Sequence, residues 1–246
     1  MKLIILSAGQ GNRLKPLTDN KPKCMVEYKG RPLIDHIISA NRACEINDIV
    51  LINGFKGEIL ESYLSGSNIR FYTNDRFDKT NMVYTLFCAE KEMDDDIIIS
   101  YGDIYYGPKI IEKLINSDAD IGIAVDSNWR SLWELRMDDP LKDAETLKYD
   151  KNENIIELGK KPVSYDEIQG QYMGLIKISK NIINKIKEIY TGLDKNRLYD
   201  GKDFENMYMT SFLQYLIDTG IPCKAVLITE PWMEIDNVSD LSVDVG

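Results

Sequence analysis

The feature that most restricts the fold is the opening run KLIILSA, apolar almost without a break and followed at once by GQGNRLKPL. A strand with one face in water alternates apolar and polar residues. An unbroken run belongs to a strand covered on both faces, as in a parallel sheet between helical layers. The glycine and polar residues directly after it leave no h-region or cleavage site for a signal peptide, so the run reads as the first strand of a cytoplasmic protein. Similar runs recur at DIVLING, IRFYTN, DIIISYGD and DIGIAVD. Between them stand PLIDHIISANRACEI, GEILESYL, NMVYTLFCAEKEM and GPKIIEKLINS, with apolar residues at helical spacing. This β-α-β-α order predicts an α/β fold: a mixed, mostly parallel sheet with helices on both faces, in three αβα layers.

Beyond Asp126 the rhythm changes. ETLKYDKNENIIELGKK reads as two strands about a turn, QYMGLIKIS as a strand, and NIINKIKEIYTGL and FENMYMTSFLQYLIDTG as helices. CKAVLIT is a last core strand, and EPWMEIDNVSDL a loop leading into a helical turn. No repeat or Pro/Gly-rich hinge divides the chain, so one domain over residues 1–246 is expected. No apolar run approaches the roughly 18 residues of a membrane span.

The turn after the first strand, Ser7-Ala8-Gly9-Gln10-Gly11-Asn12-Arg13-Leu14, suits a phosphate ligand because glycine backbone N–H groups can approach anions closely. A dinucleotide fingerprint needs a third glycine where Leu14 stands, and no GxxxxGK[ST] loop exists, so both of those nucleotide motifs fail. Charge supports an anionic ligand. Residues 1–31 carry seven basic side chains (Lys2, Arg13, Lys15, Lys21, Lys23, Lys29, Arg31) and two acidic ones (Asp19, Glu27), in a chain of net charge -10. The acid excess elsewhere argues against nucleic acid as a partner, which needs a basic face. Four cysteines without a CxxC pair predict reduced thiols rather than disulfides or zinc. His36, the only histidine, is read as structural, and no GxSxG elbow accompanies it. Asp94-Asp95-Asp96 reads as a solvated acidic turn.

LSAGQGNRLKPLTDNKPKCMV resembles the signature GxGxRLxPLTxxxPK of the nucleotidyltransferases that activate phosphorylated sugars and alcohols. About ten positions match in order, and a merely structural turn would explain neither Arg13 nor Lys23. The resemblance implies the Rossmann-like, GT-A-like fold of that family. It also implies in-line attack of an acceptor phosphate on the α-phosphorus of a nucleoside triphosphate, with pyrophosphate released. Arg13 can grip phosphate oxygens with its planar fork and Lys23 can place a mobile charge near the α-phosphate. Both are expected to be catalytic through positioning and charge neutralisation.

Asp103 ends the buried strand DIIISYGD, where ligands of open α/β sheets gather. In the resembling family an Asp at this point binds Mg²⁺, and Asp236 in EIDNVSDL matches the second ligand, with Glu234 as its nearest rival. Two carboxylates with phosphates and water make a normal Mg²⁺ shell. The resemblance also implies nucleotide contacts from Leu6, Ser7, Ala8, Gly9, Gly11 and Asn12. Asn81 can either reach the base or cap its helix.

The segments SNWRSLWELRMDDPLKDAETLKYD, NIIELGKK, IQGQYMGLIKIS and FENMYMTSFLQYLID resemble a narrower branch, the cytidylyltransferases that work on small phosphorylated amino compounds. That branch implies CTP as donor, with phosphoglutamine as first acceptor and phosphocholine as second. It further implies a role in surface-polysaccharide modification, namely capsular phosphoramidate synthesis. Residues 1–126 would then be a nucleotide-binding half and 127–246 an acceptor-binding half. Lys160-Lys161-Pro162 resembles an element in which a lysine holds acceptor phosphate: Lys161 is the aligned residue, and Lys160 can share or take the role. Trp129, Trp133 and Glu134 are expected to receive an ammonium group, by cation–π and charge attraction. Arg130 or Arg136 could meet an acceptor carboxylate, and Tyr172, Gly174 and Glu205 are further acceptor-site candidates. Two other readings stay open: a sugar-1-phosphate nucleotidyltransferase using UTP or dTTP, and a non-catalytic nucleotide-binding module. The oligomeric state is not legible.

Overall fold

A computed structural model describes residues 1–246. Its centre is a seven-stranded sheet in the order Lys224–Ile228, Ile121–Asp126, Gln171–Ile178, Ile97–Tyr101, Lys2–Ser7, Asp48–Asn53, Ile69–Thr73. Only Gln171–Ile178 runs antiparallel to its neighbours. The expected mixed, mostly parallel sheet is therefore present.

The apolar run of the first strand is explained by its two partners. Lys2–Ser7 pairs with Asp48–Asn53 on one side and Ile97–Tyr101 on the other, so its backbone is satisfied inside the sheet. Leu3 and Ile5 face one core, while Ile4 and Leu6 face the other. Helices Leu33–Ala43, Gly57–Tyr63 and Pro108–Asn116 cover the first face through Ile34, Ile37, Leu60, Ile110 and Leu114. Met82–Phe87, Lys180–Gly192 and Met209–Asp218 cover the second through Val83, Leu86, Ile183, Phe212 and Leu213. Burying these aliphatic side chains, at roughly 1.5–3 kcal/mol each, is the main force holding the three layers together.

Several elements differ from expectation. The helix opened by Asn81 stops at Phe87 rather than running to Met93, and the helix in FENMYMTSFLQYLIDTG begins only at Met209. Trp129–Arg136 forms a helix not read from the sequence. The segment PWME is no loop: Trp232–Glu234 is a short strand paired antiparallel with Ile104–Tyr106. Three-residue strands have too few side chains to show a period, and their pairing partner decides them. No helix is long and apolar enough to cross a membrane. The four cysteines are free. The acidic turn holds the chain start, with Asp95 taking the N-terminal amine at 2.6 Å and Asp94 taking Lys2 at 2.5 Å.

Candidate active site

The site forms beyond the carboxyl ends of the strands Lys2–Ser7 and Ile97–Tyr101. Gly11 turns the chain with φ of 62°, a conformation that costs an L side chain about 1–2 kcal/mol. A Cβ on Gly11 would lie 3.0 Å from Lys23 Cβ and 3.1 Å from Thr18 Cγ2, so the glycine also makes room for the lysine stem. The Thr18 hydroxyl donates to the Gly11 carbonyl at 2.8 Å and pins this turn.

The short ribbon between Ile104–Tyr106 and Trp232–Glu234 brings the distant acidic residues together. The Ile235 amide donates to the Asp103 carbonyl at 2.9 Å. Strand alternation sends Met233 and Ile235 into the core, leaving Glu234 and Asp236 on the other face. Carboxylate oxygens of Asp103, Glu234 and Asp236 consequently lie within 4.8 Å of one another.

Like charges this close repel, and cations compensate. Lys23 Nζ donates to Asp103 Oδ2 at 2.7 Å and to Asp236 Oδ1 at 2.6 Å. Arg13 Nη2 stands 2.9 Å from Asp236 Oδ1, its side chain 63% exposed. Burial disfavours the charge on Lys23, but Asp103, Asp236 and Glu234 outweigh it and hold the ammonium protonated beyond its usual range. Burial and the neighbouring Asp236 and Asp103 charges push the Glu234 carboxyl well up. Burial opposes ionisation of Asp236, yet Lys23 and Arg13 hold its carboxyl below the usual range. Asp103 Oδ1 is buried without a hydrogen-bond partner. Three hard oxygen donors with one orphaned lone pair fit a divalent ion such as Mg²⁺.

A cavity of about 420 Å³ opens beside the carboxylates. Arg13, Lys23, Asp103 and Asp236 stand on its wall together, although the last is more than two hundred residues from the first. Asn81 and Tyr172 also line it, as does Trp133, whose indole N–H donates to Asp143 Oδ2 at 3.0 Å. The Asn81 side chain accepts from the Met82 amide at 2.8 Å, so in this structure it caps its helix. Sequence reasoning missed Asp143, Glu145, Gln171, Tyr208 and Thr210, all on the same wall. The run DAETL held only the hint of two acids beside the alternating residues of a strand. Gln171 is locked in place, accepting from the Glu145 amide at 3.0 Å and donating to its carbonyl at 2.6 Å.

Other expected site residues stand elsewhere. Leu6 is buried in the core and its carbonyl accepts from the Gly102 amide at 3.0 Å. The Ala8 carbonyl accepts from Phe55. Ser7, Gly9, Gly11 and Asn12 are not part of the cavity wall, and Asn12 donates to Gln10 at 3.4 Å. Trp129 is buried against Tyr165 and Trp133. Glu134 points to the surface and pairs with Arg130 one helical turn away at 2.7 Å. Arg136 turns inward, to Asp240. Lys160 is bound to Glu157 at 2.7 Å, while Lys161 donates to the Leu141 and Lys142 carbonyls at 2.5 Å. Glu205 takes the Arg76 fork at 2.5 and 2.6 Å. Gly174 supplies a bulge with φ of 76°, where a Cβ would strike the Tyr101 ring at 2.8 Å, so it seats that ring rather than a ligand.

The layered fold, with a cavity that gathers cations and carboxylates beyond the strand ends, is that of a nucleotidyltransferase, and the comparisons agree. The family of the MobA-like NTP transferase domain matches residues 3–192, and the chain belongs to it. It is a nucleotidyltransferase. Over all of this chain and 99% of its own length, the CTP:phosphoglutamine cytidylyltransferase of Campylobacter jejuni subsp. jejuni serotype O:2 is 48% identical. The choline-phosphate cytidylyltransferase of Streptococcus pneumoniae is 35% identical over 40% of this chain and 43% of its own. Among solved structures, the inositol-1-phosphate CTP transferase of T. maritima superposes with a TM-score of 0.73 at 21% identity, over 97% of this chain and 90% of that one.

Proposed function

We propose that the protein transfers CMP from CTP to a small phosphorylated acceptor bearing an ammonium group, phosphoglutamine ahead of phosphocholine, and releases pyrophosphate. The observation that carries this reading is the 48% identity, end to end, with the Campylobacter enzyme. The cavity supports it. Asp143 and Glu145 beside Trp133 and Tyr172 offer an acidic, aromatic wall suited to an ammonium group.

In the reaction an oxygen of the acceptor phosphate attacks the α-phosphorus of CTP. The bond from that phosphorus to the bridging oxygen breaks, and pyrophosphate leaves with the electron pair. Arg13 grips the triphosphate from the open side of the cavity. Lys23 releases its carboxylates and turns its ammonium toward the α-phosphate, where negative charge must be held as the bonds exchange. Asp103 and Asp236 would hold Mg²⁺, with Glu234 beside them. The bound ion would neutralise phosphate charge and orient the attack. Tyr172 and Trp133 exclude water from the acceptor end. We read the protein as one cytoplasmic domain with a nucleotide half (1–126) and an acceptor half (127–246), serving capsular polysaccharide modification.

The test is pyrophosphate release measured for each of the four nucleoside triphosphates against phosphoglutamine, phosphocholine, phosphoethanolamine and glucose-1-phosphate, with Mg²⁺. CTP with phosphoglutamine is expected to give the highest kcat/KM. A maximum with UTP or dTTP and the sugar phosphate would replace the reading by the sugar-activating one. Tight CTP binding without turnover would make the protein a binding module.

A further inference from the structure

Arg136 and Asp240 form a buried ion pair outside the cavity wall, each side chain 2% exposed. Arg136 ends the helix Trp129–Arg136, and Asp240 lies in the short turn Val238–Ser242 after the metal segment. Arg136 Nε donates to Asp240 Oδ1 at 3.2 Å. Asp240 Oδ2 accepts from the backbone amides of Asp236 and Asn237, at 2.8 and 2.7 Å. Asp240 therefore fixes the backbone of the residue whose carboxylate faces Asp103. Arg136 Nη1, buried and without a hydrogen-bond partner, is directed at Glu234 Oε2 across 3.6 Å. The same guanidinium lies over the Trp133 ring at 5.4 Å, on the acceptor side.

We propose that Arg136 and Asp240 are positioning residues that hold the Glu234–Asp236 segment in the geometry for divalent-cation binding and join it to the acceptor wall. Charge supports the division of labour. Four carboxylates, Asp103, Glu234, Asp236 and Asp240, face three cations, Lys23, Arg13 and Arg136, the last shared between Asp240 and Glu234. Lys23 and Arg13 are needed at phosphate during turnover, whereas Arg136 is buried and stays. It keeps Glu234 and Asp236 from repelling each other apart while the other two cations are engaged. Asp240 closes the capping box of its own turn through the Asn237 amide; its second bond, to the Asp236 amide, and the Arg136 N–H aimed at Glu234 reach beyond that cap to the carboxylates.

The inference rests on Asp103 and Asp236 being cation ligands, and its test separates the two claims. Mn²⁺ binding is measured by electron paramagnetic resonance without nucleotide, in the wild type, in Asp103→Asn, in Arg136→Lys and in Asp240→Asn. Thermal unfolding and steady-state kinetics accompany it. Lysine keeps the charge but loses the fork, and asparagine keeps the size but loses the charge. Both variants should fold and bind Mn²⁺ about tenfold more weakly, in line with the loss of an orienting partner. kcat should fall with little change in the KM for CTP, and raised Mg²⁺ should restore part of it. Should either single variant not fold, Arg136→Gln with Asp240→Asn gives an uncharged pair that can keep the hydrogen bonds and carries the same expectation. Mn²⁺ affinity within twofold of wild type in a folded variant overturns the inference, as does failure of every variant to fold, which makes the pair a fold determinant alone. Absence of Mn²⁺ binding by the wild type overturns the cation reading and this inference with it. Binding by the wild type that Asp103→Asn abolishes, with both pair variants weakened, supports both.

Discussion

Replacing Lys23 by methionine separates charge from packing at the centre of the site. The methionine stem still fills the space that Gly11 leaves, so the ammonium is the principal loss. That ammonium bridges two carboxylates at 2.7 and 2.6 Å, with side-chain exposures of 15% for the lysine and 13–15% for its partners. Removing one member of a fully buried ion pair costs about 3–5 kcal/mol. Here some water reaches the pair and Arg13 and Arg136 remain, so about 2–3 kcal/mol is the expected loss. For a chain of this size that lowers Tm by about 4–12 °C. Mg²⁺ should then stabilise the variant more than the wild type, because the ion no longer has to displace the ammonium. A tenfold gain in ion affinity would add about 1.4 kcal/mol at saturation. Activity should not recover: with no ammonium at the α-phosphate, turnover falls by about 10²–10³-fold at any Mg²⁺ concentration. The assay is thermal unfolding in chelator and across a Mg²⁺ series, paired with pyrophosphate release. An unchanged Tm in chelator, or equal Mg²⁺ stabilisation of both proteins, refutes the idea that Lys23 neutralises the carboxylates in the ion-free enzyme.

Gly11→Ala should cost about 1–2 kcal/mol through its left-handed backbone, and about tenfold in turnover by displacing the Lys23 stem; a urea midpoint and rate equal to wild type would contradict it. Glu145→Gln should raise the acceptor KM about tenfold and leave the CTP KM alone if the cavity receives an ammonium group, so steady-state kinetics with each substrate varied decide the matter. Far from the site, the Arg70 fork, with Tyr72 and Lys2, holds the Glu92 carboxyl down at about 2 from its ordinary 4.5. Its stabilising effect is complete above about pH 4.5 and is lost as pH falls toward 2, so Glu92→Gln should flatten that acid limb. Solvent screening limits the difference to on the order of 1 kcal/mol, read from urea unfolding between pH 5 and 2.5.

The glycine turn and Asp103 were legible from local rules, a turn after a buried strand and a carboxylate at a strand end, whereas Lys23 and Asp236 were picked out only by the resemblance to the nucleotidyltransferase signature. Side-chain direction in the second half was harder. Helical spacing turns Trp129, Leu132, Trp133 and Arg136 inward and sends Arg130 and Glu134 out, but that reading requires knowing that WRSLWELR is a helix. Lys160 and Lys161 carried the expected charge, yet Glu157 and two backbone carbonyls hold them at the surface. The acids that do line the cavity, Asp143 and Glu145, stand in a stretch with no period of its own, fixed through Trp133 and Gln171. Long-range packing chose those residues, and nothing adjacent in the chain announces it.

The pairing of Ile104–Tyr106 with Trp232–Glu234 ties the carboxylates to a contact between distant parts of the chain. The carboxylate trio exists only where residues 232–234 lie against a strand more than a hundred residues earlier in the chain. The trio is thus a product of one long-range strand pairing, and no stretch of the chain taken alone can form it.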